Sequence, residues 1–339
     1  MVLERYIRQI IFPPLGEEGQ RRLLDSSVVI VGCGALGSHI ANTLTRAGVG
    51  RIKIVDRDYI ELNNLQRQIL FDEEDIERGL PKAIAAAEKL RKINSQVEIE
   101  PLVADVHYRN VEEIIGDMDL VLDGTDNFET RYLINDACVK HDTPWIYGGA
   151  VGSYGMTMNI IPHQTPCLRC LFVQIPPPGT TPTCDTAGIL GAVPAVIGAI
   201  EANEALKLLT GKGRLNEGLI HIDLWENSFE IFQVARQEET CPACGQGKFE
   251  FLEAKEVAMV TSLCGRNAVQ ITPVIEVSIS LPALAKRLQA IGEVTFNEFM
   301  LRFEVNDYLV TIFPDARAII RGTSDETVAR NLYAKYIGT

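Results

Sequence analysis

Two hydrophobic periods alternate along the first half of the chain. "SVVIVG" (27–32) and "RIKIVD" (51–56) are short apolar runs rich in β-branched residues, the pattern of strands buried on both faces of a parallel sheet. Between them "ALGSHIANTLTRAG" (35–48) has helical spacing, and Gly48 supplies the residue that most readily closes a helix. "LPKAIAAAEKLRKIN" (80–94) predicts a second helix with Pro81 near its start. "VEIEPLVADV" (97–106) alternates as a strand does, "MDLVLDG" (118–124) is another buried strand, and "FETRYLINDACVKHD" (128–142) is helical. This β-α-β-α order predicts an α/β, doubly wound, Rossmann-like sheet that is mostly parallel.

The pattern then changes. "PWIYGGAVGSYGMTMNIIP" (144–162) is strand-like, a Pro-, Thr- and Cys-rich loop (162–187) interrupts it, and "GAVPAVIGAIEANEALKLLTG" (191–211) is a long apolar helix. Short strands at 219–224 and 229–234 extend the sheet, as antiparallel additions. A boundary within 246–256 divides the chain into a main domain over 1–248 and a small α+β domain over 249–339, whose role the sequence does not reveal.

Composition narrows the classes. With 45 acidic against 32 basic side chains the net charge is −13, which argues against non-specific binding to nucleic acid or anionic membranes. No run of about 18 apolar residues is present, so no membrane span is expected. "MVLERYIRQI" lacks the basic-then-apolar build of a signal peptide. Eight cysteines in 339 residues are too few for a disulfide scaffold, and a cytoplasmic location is expected.

Candidate chemistry begins at "VVIVGCGALGSHI" (28–40), where Gly32, Gly34 and Gly37 form G-x-G-x-x-G at a strand-to-helix turn. Such glycines let the backbone approach a phosphate, and the helix N-terminus supplies N–H donors. No Lys-Ser/Thr pair follows, so this is not a P-loop. Asp56 closes the second strand, where a carboxylate binds ribose hydroxyls. The turn alone leaves the nucleotide open, and glycines kept only for close packing are the plainer alternative. The next segment argues for a triphosphate: "VDRDYIELNNLQRQILF" places Asn63, Asn64, Gln66 and Arg67 just beyond the ribose acid. Lys82 opens the next helix, ordinarily the place of a solvated lysine, but its neighbourhood favours a phosphate contact. "VLDGTDNFETR" offers Asp123 and Asp126 beyond a strand's carboxyl end, where a carboxylate holds Mg²⁺ on phosphates or caps a helix; Asp126 is the stronger candidate and Asn127 lies beside it.

Cys167 and Cys170 ("CLRC") with Cys241 and Cys244 ("CPACG") are two C-x-x-C knuckles, the pattern of a closed structural Zn²⁺ site. A redox pair needs a helix N-terminus, and neither pair shows that setting in the sequence. Cys33 and Cys138 read as packing, and Cys264 has no evident partner. Cys184, in "TPTCDTAGIL", is open between a reactive thiol and an exposed bystander.

The set "RYIRQI", "GCGALGS", "VDRDYIELNNLQRQ", "LPKA", "DGTDNFETRY", "CLRC", "TCDTAG" and "CPACG" resembles the E1-like ThiF/MoeB/HesA adenylyltransferases, in unbroken order over roughly 4–246. "CGRNAVQI" and "DETVARNLYAKYIG" are similar to the extension on ThiF proteins of Bacillus-type bacteria. The resemblance implies ATP-dependent adenylation of the C-terminal glycine of a ubiquitin-like sulfur carrier. That carrier would be ThiS-like in thiazole (thiamine) biosynthesis, or alternatively MoaD-like in molybdopterin biosynthesis. It further implies a homodimer; the chain shows no cysteine loop typical of a rhodanese, so a separate sulfur donor such as a cysteine desulfurase is expected. Residue by residue, it assigns the nucleotide turn to Gly32, Gly34 and Gly37, ribose to Asp56, and nucleotide contacts to Asn64, Gln66, Arg67, Lys82, Asp126 and Asn127. Mg²⁺ falls to Asp126, a contribution to the partner's active site to Arg8, and a covalent link to the carrier to Cys184. The carrier's carboxylate is then the nucleophile, which accounts for the lack of an evident Ser or His nucleophile. A nicotinamide oxidoreductase leaves Arg67, Asp126 and the zinc pairs idle, and the retention of Arg67, Lys82 and Asp126 together counts against a non-catalytic binding module.

Overall fold

The computed structural model describes residues 3–173, 184–237, 239–253, 259–263, 267–273 and 278–337. Cys264 and the first part of the motif around Cys184 lie outside them. The chain divides into two compact units, Met1–Ala254 and Lys255–Thr339.

The first unit begins with two short helices, α1 (Ile7–Ile10) and α2 (Gly16–Leu24), before β1 (Ser27–Val31). The alternation then runs α3 (Ala35–Ala47), β2 (Arg51–Val55), α4 (Glu73–Glu77), α5 (Lys82–Ile93), β3 (Glu98–Leu102), α6 (Val111–Ile115), β4 (Leu120–Asp123), α7 (Phe128–Lys140) and β5 (Trp145–Val151). After β6 (Tyr154–Ile160) come α8 (Leu168–Leu171), α9 (Cys184–Ala187), α10 (Ala192–Thr210), β7 (Leu219–Asp223) and β8 (Ser228–Phe232).

These strands form one eight-stranded sheet ordered β3-β2-β1-β4-β5-β6-β7-β8. The first five are parallel, and β6, β7 and β8 are antiparallel additions. The change follows from Gly152, whose φ of +59° serves the tight turn from β5 into β6 and replaces a helical crossover by a hairpin. Central β1 is buried from Val28 to Val31, as a parallel strand covered on both faces must be. Val29 and Val31 join Val121, Ile114 and Tyr132 in the core beneath α6 and α7. On the other face α10 packs across β5 and β6 and along α3. Gly48 (φ +84°) and Gly211 (φ +63°) close α3 and α10 in the left-handed region that favours glycine.

The helix at Gly16–Leu24 goes beyond the sequence reading. Its polar face carries the pairs Arg21–Glu17 and Arg22–Glu18, and only Gly19, Gln20 and Leu23 are buried. The strand expected over 97–106 stops at Leu102, because the chain turns at the sheet's carboxyl edge.

The second unit contains β9 (Met259–Leu263), β10 (Ala268–Thr272), α11 (Leu281–Leu288), β11 (Glu293–Phe296), β12 (Leu301–Val305), β13 (Tyr308–Ile312), β14 (Ala318–Arg321) and α12 (Glu326–Tyr336). Its six-stranded sheet, ordered β11-β12-β13-β14-β10-β9, is antiparallel at every pair. Val269, Phe303, Ile312 and Ile320 pack against Leu284 and Leu288 of α11 and Tyr333 of α12. Ser280 and Asp325 cap the two helices through their side chains. Among the described residues no helix is long and apolar enough to cross a membrane.

Candidate active site

The strand order reverses at β1, whose neighbours are β2 and β4, and open α/β sheets bind ligands at such a crevice. Gly32 follows β1 with φ +89°. A Cβ on Gly37 would lie 1.9 Å from the Gly32 carbonyl oxygen, and one on Gly124 would lie 2.1 Å from the same atom. Three backbones therefore meet where no methyl group fits. Gly34 differs: it caps α3, and a Cβ there would meet only Gln68 Nε2, at 3.8 Å. Gly32 and Gly37 serve close packing, whereas Gly34 leaves the turn open toward a ligand. Gly124, not singled out in the sequence, belongs with the packing glycines.

Asp56 is nearly buried at the end of β2. Its Oδ2 accepts the Cys33 backbone N–H at 2.6 Å and its Oδ1 that of Asp58 at 2.7 Å. Burial pushes its carboxyl above the ordinary range, Lys82 pulls it back, and Asp58 adds to the rise. Lys82 is no solvated surface lysine: it is 4% exposed, and its Nζ lies 3.3 Å from Asp58 Oδ2. The alternation of acid and base across Asp56, Asp58 and Lys82 concentrates one buried cation beside the glycine turn.

The segment after β2 wraps the same crevice. Asn64 is buried and locked by a reciprocal capping box with Glu61, and its amide donates to Asn63 Oδ1. Gln68 reaches beside Gly34, which brings Gln66 and Arg67 to the mouth. Arg67 is held by a bond from Nη1 to the Asn63 carbonyl at 2.7 Å. The start of α10 abuts this segment, since a Cβ on Gly191 would lie 2.8 Å from the Gln66 carbonyl oxygen.

The turn after β4 separates two roles that the sequence left open. Asn127, not Asp126, caps α7, accepting the Thr130 N–H at 2.9 Å. Asp123 is completely buried: Oδ1 accepts from the Thr125 N–H and hydroxyl, and Oδ2 from Arg131 Nε at 2.9 Å. Asp123 is thus committed to the turn, and Asp126 presents an exposed carboxylate at the mouth. Arg57 pairs with Asp105 at 2.9 Å; burial opposes its charge, but Asp105, Asp58 and Asp126 together hold the guanidinium protonated. Arg57 and Arg131 went unnoticed in the sequence. The signal available for Arg131 was its spacing eight residues beyond Asp123, one turn into the following helix.

Two further candidates lie elsewhere. Cys184 opens α9, half-buried, with Sγ donating to the Ala150 carbonyl at 3.5 Å, over the carboxyl end of β5. Arg8 is not brought to the crevice of its own chain. It is exposed on α1, whose Gln9 donates to the Ala47 carbonyl at 3.0 Å, at the far end of α3. Thirteen residues of helix separate that end from the glycine turn, about 20 Å at 1.5 Å per residue.

The four paired cysteines converge. Cys167 and Cys241 Sγ lie 3.5 Å apart, Cys170 and Cys244 3.5 Å, and Cys167 and Cys170 4.0 Å. All four sulfur atoms fall within 4.8 Å of one another. A tetrahedral centre with metal–sulfur bonds of about 2.3 Å sets sulfur spacings of about 3.8 Å, so the donor set fits zinc. One expectation needs correction: Cys167 does stand at a helix N-terminus, as the N-cap of α8. The meeting of both pairs, and not their helix context, is what distinguishes a metal knuckle from a redox pair. Arg169, between the first two cysteines, pairs with Glu250 at 3.0 Å and lies over the Tyr132 and Phe251 rings.

At the opposite edge of the sheet the β7–β8 hairpin exposes Trp225, Phe229, Ile231 and Phe232. Phe229 and Ile231 lie in register with the buried Ile222 and Ile220, so they continue an apolar face past the cover of α10.

The chain is similar to known proteins over most of its length. A family model, the ThiF family, matches residues 6–243. The sulfur carrier protein ThiS adenylyltransferase of Bacillus subtilis is 44% identical over 336 residues, covering 98% of this chain and 99% of that one. The adenylyltransferase and sulfurtransferase MOCS3 of Xenopus laevis is 38% identical over 71% of this chain and 53% of its own length. The structure of Escherichia coli MccB with ATP aligns with a TM-score of 0.62 at 25% identity, covering 71% of this chain and 74% of the other.

Proposed function

Because the chain belongs to the ThiF family, we propose that it adenylates the C-terminal glycine of a ubiquitin-like sulfur carrier of the ThiS type, at the expense of ATP. The observation that carries this reading is end-to-end identity of 44% to a ThiS adenylyltransferase, second unit included. The matches to MOCS3 stop at about half of those chains, so a MoaD-type carrier is the second choice.

A carrier carboxylate oxygen attacks the α-phosphorus of ATP, a new C(O)–O–P bond forms, and the bond to the β-phosphate oxygen breaks to release pyrophosphate. A glycine carboxylate is ionised at neutral pH, so no general base is needed. Gly34 and the N-terminus of α3 let the phosphates approach the backbone, and Asp56 takes the ribose. Asn64, Gln66 and Asn127 shape the phosphate side. Arg67 and Lys82 offset charge that develops on the phosphates, where the buried setting of Lys82 strengthens its effect. A magnesium ion held by Asp126 would add positive charge there, and one carboxylate together with substrate phosphates is a usual donor set for it. Arg8 serves the partner subunit of a homodimer, and Cys184, over β5, is the residue for a covalent link to the carrier. The exposed apolar hairpin at Phe229 and Ile231 suits docking of the carrier's globular part. Zinc on Cys167, Cys170, Cys241 and Cys244 has a structural task, and sulfur comes from a separate donor.

ATP–pyrophosphate exchange with purified protein tests the reading. Exchange that depends on a ThiS-type carrier is expected. Dependence on a MoaD-type carrier alone would replace the pathway, and no exchange with either would overturn the activity.

A further inference from the structure

Beneath the crevice lies a carboxyl group that the reaction as described does not use. Glu201, at the middle of α10, is 0% exposed, and among the described residues neither of its oxygens has a hydrogen-bond partner. It sits against β5 in a space that exists only because residue 148 is glycine: a Cβ there would lie 2.0 Å from Glu201 Oε1. Thr157, register partner of Gly148 on β6, is also buried, and its hydroxyl finds no partner among the described residues.

The surroundings give this group a task. The ladder between β4 and β5 ends after Val121↔Trp145 and Leu122↔Ile146. Beyond it, the Arg131 guanidinium fills the split, donating to Asp123 Oδ2 at 2.9 Å, the Thr125 carbonyl at 2.7 Å and the Gly148 carbonyl at 3.0 Å. One guanidinium thus ties together both strands and the turn that presents Asp126. Glu201 lies on the other side of Gly148 from it. The titratable groups around Glu201 are Asp123 from β4, Arg131 from α7 and Tyr147 from β5. From α3 the nearest is His39, packed at Gly198 one turn earlier on α10. Only one of these, Arg131, carries a positive charge, since burial disfavours the charged form of His39.

We propose that Glu201 is a positioning residue for adenylation, kept as the neutral acid so that Arg131 answers a single anion, Asp123, and holds the 123–126 turn in place. The inference rests on the adenylation reading for its consequence, though not for the charge state. Were Glu201 ionised, two carboxylates would compete for one guanidinium. Arg131 would be drawn off the Thr125 carbonyl, and the turn carrying Asp126 would loosen. The balance of forces agrees: burial pushes the Glu201 carboxyl well up, Asp123 adds to the rise, and Arg131 offsets only part of it.

Infrared spectroscopy of the full chain and of Glu201→Gln tests the charge state without any turnover. A protonated carboxylic-acid band present at pH 7.5 and missing from the variant is expected; its absence from the wild type overturns the proposal. The pH profile of ATP–pyrophosphate exchange tests the consequence. In the wild type kcat should fall on the alkaline side by about tenfold per pH unit as Glu201 ionises, with KM for ATP moving less. Glu201→Gln should carry that limb upward by about one pH unit or more, and Glu201→Met, neutral and of similar length, should do the same. A flat wild-type profile, or a limb that both variants leave in place, overturns the positioning role. Exchange absent from the wild type at every pH overturns the adenylation reading instead, and the infrared arm still decides the charge state.

Discussion

Gly37 and Gly34 stand three residues apart in one motif and answer to different forces. At Gly37 an added methyl would meet the Gly32 carbonyl oxygen at 1.9 Å, and backbone cannot move aside as a side chain can. Gly37→Ala should therefore destabilise the fold by about 1–3 kcal/mol or more, read from urea unfolding. At Gly34 the methyl meets little, so Gly34→Ala should cost at most about 1 kcal/mol, the usual cap penalty. It should instead raise KM for ATP, because the methyl stands where the backbone approaches phosphate. Lys82 is the complementary residue. Lys82→Ala removes a buried cation from between Asp56 and Asp58, and a loss of about 10²–10³ in kcat/KM for exchange is expected. A loss under tenfold would reduce Lys82 to a structural partner of Asp58.

At the scale of elements, the segment after the second cysteine pair is fastened to α7. Phe251 stacks on Tyr132 with ring centroids 4.9 Å apart, and its N–H donates to Asp136 Oδ2 at 3.1 Å. Burial pushes the Asp136 carboxyl up to about 6 from an ordinary value near 3.8. Its folded pKa is thus above its unfolded one, so the stability it contributes is complete below about pH 4 and is lost as pH rises through about 6. Asp136→Asn, which keeps the acceptor, should be more stable than wild type at pH 7–8 by a margin on the order of 3 kcal/mol, and no more stable at pH 4. Thermal midpoints at the two pH values would check this. Removal of zinc with a chelator should open the same region, because Arg169 stands between Cys167 and Cys170 and holds Glu250. Limited proteolysis near 249–253, fast in the chelated protein and slow when zinc is restored, is the expected outcome. Much of this level was legible in the sequence: β1, α3 and β2 follow from unbroken β-branched runs around a helical period, and the two cysteine pairs from their spacing. The features that the sequence hid depend on approach in space. Nothing in the order of residues shows that Arg131 replaces a missing strand ladder, that Gly148 makes room for Glu201, or that Lys82 is buried. The helix over Gly16–Leu24 was hidden for a different reason, since so few of its residues face the core.

The whole molecule poses a question of reach. Arg8 lies at the Ala47 end of α3, about 20 Å from the turn at the other end, and an arginine side chain spans only a fraction of that distance. If Arg8 acts in catalysis, it acts on another subunit's crevice, and the exposed Ile7, Ile11 and Phe12 beside it give α1 an apolar surface on which a second copy could pack. In a two-fold dimer the exchange would be reciprocal, and every site would draw Lys82 from one chain and Arg8 from the other. Mixing makes this measurable. Arg8→Ala and Lys82→Ala should each be inactive in exchange as homodimers. After random reassociation half the dimers are mixed, and each mixed dimer holds one site carrying both substitutions and one carrying neither. Exchange should then recover to about a quarter of the wild-type rate. If Arg8 instead served its own crevice, every site in every mixture would carry one substitution, and mixing would restore nothing. The same mixture run with Lys82→Ala and Asp126→Asn, both placed in one crevice, should stay inactive, which separates true exchange of Arg8 from a general effect of reassembly.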